Sequence, residues 1–193
     1  MENIKAIKWF YDFEEAKKVA SKLHKPILIQ FERERCSGCK KMDSVTYLNE
    51  YVIYELQDWF VPVKLDILSN RILRSQYSAI WTPSFYVVDY KEKLYYSFAG
   101  YLNVEDFRII LRTAIVSYYL PRGKYKDGIA VLEDGIRKFP GNPRTPNLML
   151  LLGQAKYLRN WDSKLFKASM KEIIEKFPES PEARMWPWMD QIE

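Results

Sequence analysis

The stretch Lys25-Pro26-Ile27-Leu28-Ile29-Gln30-Phe31 is followed, after four charged residues, by Cys36-Ser37-Gly38-Cys39. Its apolar residues form a short, nearly continuous run of branched and aromatic side chains, which is typical of a strand buried on both faces. The sequence after the cysteines predicts a helix that continues through Met42, Val45 and Leu48. The two cysteines are therefore expected where a buried strand turns into a helix.

The segments on either side of this stretch alternate between helical and extended patterns up to about residue 116. Asp12, three residues before Glu15, is a typical helix N-cap, and Asn103 stands in the same relation to Asp106. The pattern predicts a helix from residue 12 to about 22, a strand over 60–65, a helix over 69–77, a hairpin of 85–88 with 94–98, and a helix from 103 through 115. This alternation predicts an α/β domain over residues 1–117.

Beyond this domain the strand patterns stop, and prolines separate helical segments, which predicts an all-α domain over residues 118–193. Two stretches that end in Phe139-Pro140 and Phe177-Pro178 resemble tetratricopeptide units, at a spacing slightly above the usual ~34 residues. A plain helical appendage that covers apolar surface fits the same segments. The terminal Trp186-Pro187-Trp188-Met189 is a candidate docking segment, for this extension or for a partner protein.

Composition and charge favour a globular protein that acts on neither nucleic acids nor membranes. Of 193 residues, 48% are hydrophobic and 28% are charged, which suits a folded soluble chain. The net charge of +5 comes from 30 basic and 25 acidic residues that interleave, which favours a solvated surface over a nucleic-acid footprint. We find no secretory signal and no apolar run long enough to span a bilayer, so a cytoplasmic location is expected.

The cysteine pair is the clearest chemical signal in the chain, which has two cysteines in all. In a reducing compartment such a pair indicates redox or metal chemistry. The thiolate is the nucleophile in disulfide exchange, and a helix N-terminus stabilises negative charge, so Cys36 is the candidate attacking group. Cys39 lies one turn later, where it can attack a mixed disulfide formed at Cys36. The charged neighbours of Cys36 have opposite effects on its thiolate. The acidic residues Glu32 and Glu34 oppose it, and the basic residues favour it, namely Arg33, Arg35, Lys40 and Lys41.

Two other interpretations of the cysteine pair stay open at this point. A structural zinc site normally needs two more cysteine or histidine ligands, and the sequence offers only His24, so such a site would require a dimer that shares four thiolates. Two inert core cysteines are the second alternative, although a position between a buried strand and a charged helix argues against it. No bound metal and no cofactor is expected within one chain.

Further stretches resemble the landmarks of one family, in the same order along the chain. Residues 25–42 match its central strand and active-site helix, 63–66 its third strand, 77–84 the segment leading to its cis-proline, and 98–101 its closing strand. The first ~117 residues thus resemble the thioredoxin-like family, in a bacterial branch with a degenerate active-site surround. The resemblance implies an α/β, thioredoxin-like three-layer sandwich that carries the C-terminal all-α, tetratricopeptide-like extension.

The resemblance also implies an activity, a thiol–disulfide exchange with protein disulfides in which Cys36 attacks and Cys39 resolves. It places a cis bond between Thr82 and Pro83, which together with Trp81 would shape the substrate groove. The alternative for Pro83 is an ordinary proline at a strand start. The expected partners are protein disulfides, a reductase or other redox partner, and a possible protein on the C-terminal helices. The alternative function is a protein-binding scaffold with little redox turnover.

The active-site surround departs from the family pattern at several positions. Arg35 stands where the family usually has tryptophan, and Ser-Gly replaces Gly-Pro between the cysteines. Gln30 stands where the family has a buried aspartate that helps to remove the proton from the second cysteine. Lys64 matches the lysine that pairs with that aspartate, so Lys64 is expected to have lost its partner. Glu32 could replace the missing base if its side chain points inward, which strand alternation alone does not settle.

Overall fold

The computed structural model describes residues 6–185, and these fall into two compact units that divide between Tyr118 and Tyr119. The terminal Trp186-Pro187-Trp188-Met189 lies outside the described residues. In chain order the elements of the first unit are α1 (Phe13–Leu23), β1 (Ile27–Glu32), α2 (Ser37–Ser44), α3 (Glu50–Trp59), β2 (Val61–Asp66), α4 (Arg71–Gln76), β3 (Ser84–Val88), β4 (Leu94–Ala99) and α5 (Val104–Tyr119). Those of the second are α6 (Tyr125–Lys138), α7 (Thr145–Asn160), α8 (Ser163–Lys176) and α9 (Pro181–Arg184). The predicted fold class, an α/β domain with an all-α extension, is confirmed.

The sheet of the first unit has the strand order β2-β1-β3-β4. Strand β1 runs parallel to β2 and antiparallel to β3, and β3 pairs with β4 as the predicted hairpin. All residues of β1 before Glu32 are buried, as expected for a central strand covered on both faces. Pro62 lies on the outer strand β2, where a residue without an N–H group is tolerated.

Helices cover both faces of this sheet, which makes the predicted three layers. On one face the α1 residues Phe13, Ala16 and Ala20 pack against Ile29 of β1 and Val63 of β2. On the other face the ring of Phe85 in β3 lies 5.6 Å from that of Phe107 in α5. Burial of each large apolar side chain among them stabilises the fold by about 1.5–3 kcal/mol, so the two apolar faces account for much of the stability of the sandwich.

The helix that follows the cysteines is shorter than its apolar pattern predicts. We expected it to continue through Leu48, but α2 ends at Ser44, and a 3-10 turn over Thr46–Leu48 precedes α3. The Thr46 hydroxyl donates a 2.7 Å hydrogen bond to the carbonyl oxygen of Leu102, which holds the chain in this break. Asn49 then caps α3, since its side chain accepts hydrogen bonds from the N–H groups of Tyr51 and Val52. The break is therefore stabilised by a contact that is distant in sequence.

The predicted helix caps at Asp12 and Asn103 are confirmed. Asp12 Oδ1 accepts a 2.7 Å hydrogen bond from the N–H of Glu15, and Asn103 Oδ1 accepts one of 2.9 Å from Asp106. Each bond satisfies one of the backbone donors that a helix N-terminus leaves unpaired. At the other end of α1, His24 adopts a left-handed conformation and ends the helix just before Pro26.

The second unit consists of helices in the part of the chain that the structure describes. Its core includes Met149 and Leu150 of α7, Met170 and Ile173 of α8, and Ala183 of α9. Helices α6 and α8 end immediately before the two Phe-Pro pairs, with Phe139 and Phe177 as their C-caps. The helical extension is confirmed, while its tetratricopeptide character stays a prediction. No helix within residues 6–185 is long and apolar enough to cross a membrane.

A close approach of α7 to α8 depends on Gly153. A Cβ atom added there would lie 2.8 Å from Ser169 Cβ and 3.2 Å from a ring carbon of Phe166. Gly153→Ala is therefore expected to lower the free energy of unfolding by about 1–3 kcal/mol, although alanine is the better helix former. Chemical denaturation measures the loss.

Gly141→Ala is the matched control for this variant, because nothing lies within 4 Å of a Cβ atom built on Gly141. We expect the control to change stability by less than about 0.5 kcal/mol. Equal stability of the two variants would show that α7 and α8 do not pack this closely.

Candidate thiol–disulfide site

The cysteines lie where β1 gives way to α2, and they form a disulfide bond with each other. Their Cα atoms are 5.2 Å apart. Cys36 is 8% exposed and Cys39 is 3% exposed, so Cys36 is the more accessible of the two. Only Cys36 lines the open cleft beside them. A substrate in this cleft would thus meet Cys36 first.

Cys36 is also the N-cap residue of α2. Its Sγ accepts a 3.0 Å hydrogen bond from the N–H of Cys39, in the way that a serine or aspartate oxygen caps a helix. This N–H group and the positive end of the helix dipole favour a negative charge on Cys36 Sγ once the disulfide is reduced. Cys39 lies inside the first turn, below this sulfur.

The cleft has a volume of about 650 Å³ and brings most of the predicted groove residues together. Its lining includes Arg35 and Cys36 together with Trp81, Thr82 and Pro83. The Thr82–Pro83 peptide bond is cis. Trp81 is 66% exposed, so its ring is available to a ligand. The structure therefore unites on one surface residues that are more than 40 positions apart in sequence.

Gly38 explains how Pro83 comes so close to the cysteine helix. A Cβ atom added at Gly38 would lie 2.8 Å from Pro83 Cδ, which is closer than real Cβ contacts allow. The dipeptide Ser37-Gly38 thus departs from the family pattern in a way that fits this contact. A larger residue at 38 would require either the start of α2 or Pro83 to shift.

Gln30 is buried at the aspartate position that the resemblance assigns to it. Its Oε1 accepts a hydrogen bond from the Tyr47 hydroxyl, while its Nε2 has no hydrogen-bond partner among residues 6–185. Burial raises the pKa of Tyr47 well above its ordinary value, with the charges of Asp43 and Glu32 adding to the rise. Tyr47 therefore stays protonated and donates to Gln30 across the neutral range.

Lys64 has two carboxylate partners, so the expectation that it had lost its partner is wrong. Its Nζ lies 2.6 Å from Asp43 Oδ1 and 3.5 Å from Glu32 Oε2. The same ammonium lies 4.9 Å from the ring centre of Trp9 and 5.5 Å from that of Tyr47. The error arose because a carboxylate on the helix, rather than one on the central strand, supplies the main ion pair.

Glu32 lies on the same side of β1 as Gln30. Gln30 bonds to Tyr47, and Glu32 pairs with Lys64, whose ammonium lies near the Tyr47 ring. Burial raises the pKa of Glu32, and the Lys64 ammonium opposes that rise without cancelling it. Its side chain is half-buried. Glu32 is therefore a carboxyl group whose proton affinity is shifted towards that of a thiol.

The sequence did not indicate several residues that the structure places at or near the site. Asp43 follows Cys39 by four residues, a spacing that places both on one helix face, but nothing in the sequence pairs Asp43 with Lys64. Tyr47, which holds Gln30, lies beyond the unexpected end of α2. The cleft lining also includes three residues that the sequence analysis did not indicate: Ile67, Leu68 and Arg74.

The geometry also bears on the metal alternative. His24 caps the C-terminus of α1, before the first residue of β1, whereas the cysteines follow the last. A six-residue strand therefore separates His24 from the cysteine pair. Within the described part of the chain, no group of three or more His, Cys, Asp or Glu side chains could hold a metal ion.

Comparison with known proteins identifies the same fold. The family model of the thioredoxin-like domain matches residues 13–115, which is more than half of the chain. Among solved structures, the DsbH oxidoreductase is 18% identical with a TM-score of 0.50, covering 60% of this chain and 90% of its own. A thioredoxin from Thermus thermophilus is 21% identical with a TM-score of 0.51, and the match covers 56% of this chain and 86% of the thioredoxin. No curated protein sequence matches the chain significantly.

Proposed function

Because the chain belongs to the thioredoxin-like domain family, we propose that it exchanges thiols and disulfides with protein substrates through Cys36 and Cys39. The observation that carries this proposal is the position of the Cys36–Cys39 disulfide beside an open cleft, with Cys36 in its lining. Trp81, Thr82 and Pro83 then form the substrate-binding wall. An extended peptide in the cleft would present its own sulfur to Cys36.

Exchange proceeds in two steps that balance in atoms and electrons. The Cys36 thiolate attacks one sulfur of the substrate disulfide, a mixed disulfide forms, and the other substrate sulfur leaves as a thiolate. Cys39 then attacks Cys36 Sγ, which releases the second substrate thiolate and forms the Cys36–Cys39 disulfide. The substrate gains two electrons and the protein loses two. A dithiol reductant of another protein or a small molecule returns the pair to its reduced form.

The second step needs an acceptor for the proton of Cys39, and Gln30 cannot serve as one. We assign this role to the carboxylates around Lys64. Asp43 lies one helical turn beyond Cys39, and its Oδ1 is held 2.6 Å from Lys64 Nζ. Glu32 shares this ammonium, and its raised pKa makes its carboxylate a better proton acceptor than an ordinary glutamate.

Turnover with a protein disulfide tests the proposal. Reduced protein is supplied in catalytic amount together with excess dithiothreitol, and reduction of insulin is followed by turbidity. We expect catalysis well above the rate with dithiothreitol alone. A single stoichiometric reaction without turnover would favour the alternative function, a protein-binding scaffold.

Gln30→Asp is expected to speed the release of substrate from the mixed disulfide by about tenfold, as a buried base near Cys39 accepts its proton. Tyr47 can still donate to the new carboxylate, and no hydrogen bond from Gln30 Nε2 is lost. The buried charge is also expected to lower the free energy of unfolding by on the order of 3 kcal/mol. Rapid quenching followed by mass spectrometry measures the lifetime of the mixed disulfide.

Gln30→Glu provides the matched control. Glutamate has the same size as glutamine, but its carboxylate lies one bond further from the strand than that of aspartate. An unchanged or slower second step in both variants, with folding verified by circular dichroism, would remove Gln30 from the proton path.

The scaffold alternative has one observation in its favour, a second and smaller cavity in the helical extension. It measures about 260 Å³, and its lining includes Ile136, Met149 and Leu152. We propose that a protein partner of the C-terminal helices binds there and selects the substrate without taking part in the chemistry. The cytoplasmic location stays a prediction.

A further inference from the structure

The charged side chains that line the cleft beside Cys36 are all arginines, namely Arg33, Arg35 and Arg74. Each is exposed. Arg33 and Arg35 form no salt bridge with another residue in the range 6–185, although the charge of Arg33 acts on the Asp66 carboxylate and helps to lower its pKa. Arg74 is held in place by a 3.3 Å hydrogen bond from its Nε to the carbonyl oxygen of Ala79. The cleft therefore presents concentrated positive charge to its ligand.

Two acidic groups lie nearby and reduce this charge only in part. Asp66 accepts hydrogen bonds of 2.9 and 2.8 Å from the N–H groups of Leu68 and Ser69, which direct its carboxylate into its own loop. Glu34 lies between Arg33 and Arg35 in sequence but does not line the cleft. The net charge of the lining stays positive.

The same cleft carries exposed apolar surface. Ile80 is 86% exposed, Trp81 is 66% exposed and Leu68 is 47% exposed, and all three belong to the lining. Large apolar side chains that cluster with arginines at one concave site are typical of a protein-binding surface. The combination fits a ligand that is both acidic and apolar.

We infer that this cleft selects protein disulfides whose flanking residues include acidic side chains and one apolar side chain. The acidic groups pair with Arg33, Arg35 and Arg74, and the apolar group packs on Ile80 and Trp81. Charges at the rim of a binding site act mainly on the rate of encounter, so the selection appears in the first step of exchange. This inference rests on the proposed function and names its substrate class.

The assay follows the first step of the exchange described above, which is the attack of Cys36 on a disulfide. The Cys36 thiolate of reduced protein attacks the peptide sulfur of a peptide–2-thiopyridine mixed disulfide. The Cys36–peptide disulfide forms, and the sulfur–sulfur bond to the pyridine breaks. The pyridine-2-thiolate leaves with the bonding electrons and is followed by absorbance. No external oxidant or reductant takes part.

Three peptides that differ only in the residues flanking their cysteine compare acidic, neutral and basic sequences. All carry the same leucine and the same leaving group. We expect the acidic peptide to react about tenfold faster than the basic one at low salt. The difference should shrink to about twofold at 0.5 M salt, where the Debye length falls to a few ångströms. Replacing the leucine by alanine should slow the acidic peptide about threefold.

The variant Arg33→Gln/Arg35→Gln tests whether these residues cause the preference. We expect the ratio of acidic to basic rates to fall to about twofold. The ratio is the decisive readout, because a general loss of Cys36 reactivity would slow all peptides equally. Lys91→Gln is the control, since Lys91 follows β3 at the end of the sheet opposite the cysteine loop, and it should leave the ratio unchanged.

Three other results would contradict the inference, each in a different way. Equal rates for the three peptides would overturn the selection while leaving thiol–disulfide exchange intact. Absence of reaction with every peptide would overturn the proposed function and the inference with it. The mixed disulfide of glutathione with 2-thiopyridine is a small anionic disulfide with the same leaving group, and if it reacts faster than the acidic peptide, the charge serves a small molecule and the protein-segment assignment is wrong.

Discussion

Replacement of Cys36 with serine is expected to lower the rate of disulfide exchange by at least about 10³-fold, because it removes the nucleophile that lines the cleft. Cys39→Ser has a different consequence. Its Cys36 thiolate still attacks, but the mixed disulfide cannot be resolved and accumulates. Non-reducing gels of protein mixed with a disulfide-containing substrate measure the trapped complex.

The two cysteine variants control each other, since both lose one thiol and both lose the Cys36–Cys39 disulfide. Brief alkylation of the reduced wild-type protein provides a second measurement, and Cys36 should react first because it is the more exposed thiol. Preferential alkylation of Cys39, together with trapping by Cys36→Ser, would reverse the two roles.

Replacement of Glu55 with alanine is expected to lower the free energy of unfolding by about 3–5 kcal/mol, the usual effect of breaking a buried ion pair. Both oxygens of this buried carboxylate accept hydrogen bonds from two guanidinium groups, at 2.6 and 2.9 Å from Arg108 and at 2.8 and 3.1 Å from Arg112. The Arg108 guanidinium stacks on the ring of Tyr51 and that of Arg112 on Trp59. Alanine would leave both arginines buried without this carboxylate.

Asp58→Ala is the control for Glu55→Ala, because Asp58 is an exposed residue of the same helix. Its effect should stay within about 0.5 kcal/mol. Denaturant titration of the two variants at neutral pH makes the comparison. Similar stabilities would mean that the ion pair of Glu55 with Arg108 and Arg112 does not stabilise the fold.

The Glu55 ion pair also predicts a pH dependence. Burial alone would raise the pKa of Glu55, but the hydrogen bonds from Arg108 and Arg112 outweigh it, so the pKa is lowered in the folded protein. A lowered pKa means that its stabilisation is complete above the unfolded value of about 4.3. It is lost as the pH falls through the folded value. The stability difference between wild type and Glu55→Gln should therefore shrink in this acid range.

The sequence by itself determined the local structure of this protein. Asp12 and Asn103 cap their helices through bonds to residues three positions away, so spacing alone was enough to predict them. The apolar run before Cys36 predicted a central strand, because a strand covered on both faces excludes polar side chains from most positions. These are interactions between neighbours in the chain, and residue type and order specify them.

Only the tertiary structure decided which distant side chains meet. The Lys64–Asp43 pair spans 21 residues and the Glu55–Arg108 pair spans 53. From the sequence, Lys64 and Arg108 could each have paired with another carboxylate. The end of α2 at Ser44 depends on the bond from Thr46 to Leu102, 56 residues away. Likewise Arg33 and Arg74 line one cleft only because the loop after β1 and helix α4 lie at the same edge of the sheet. Such contacts follow from packing of whole elements, which the periodicity of a single segment does not encode.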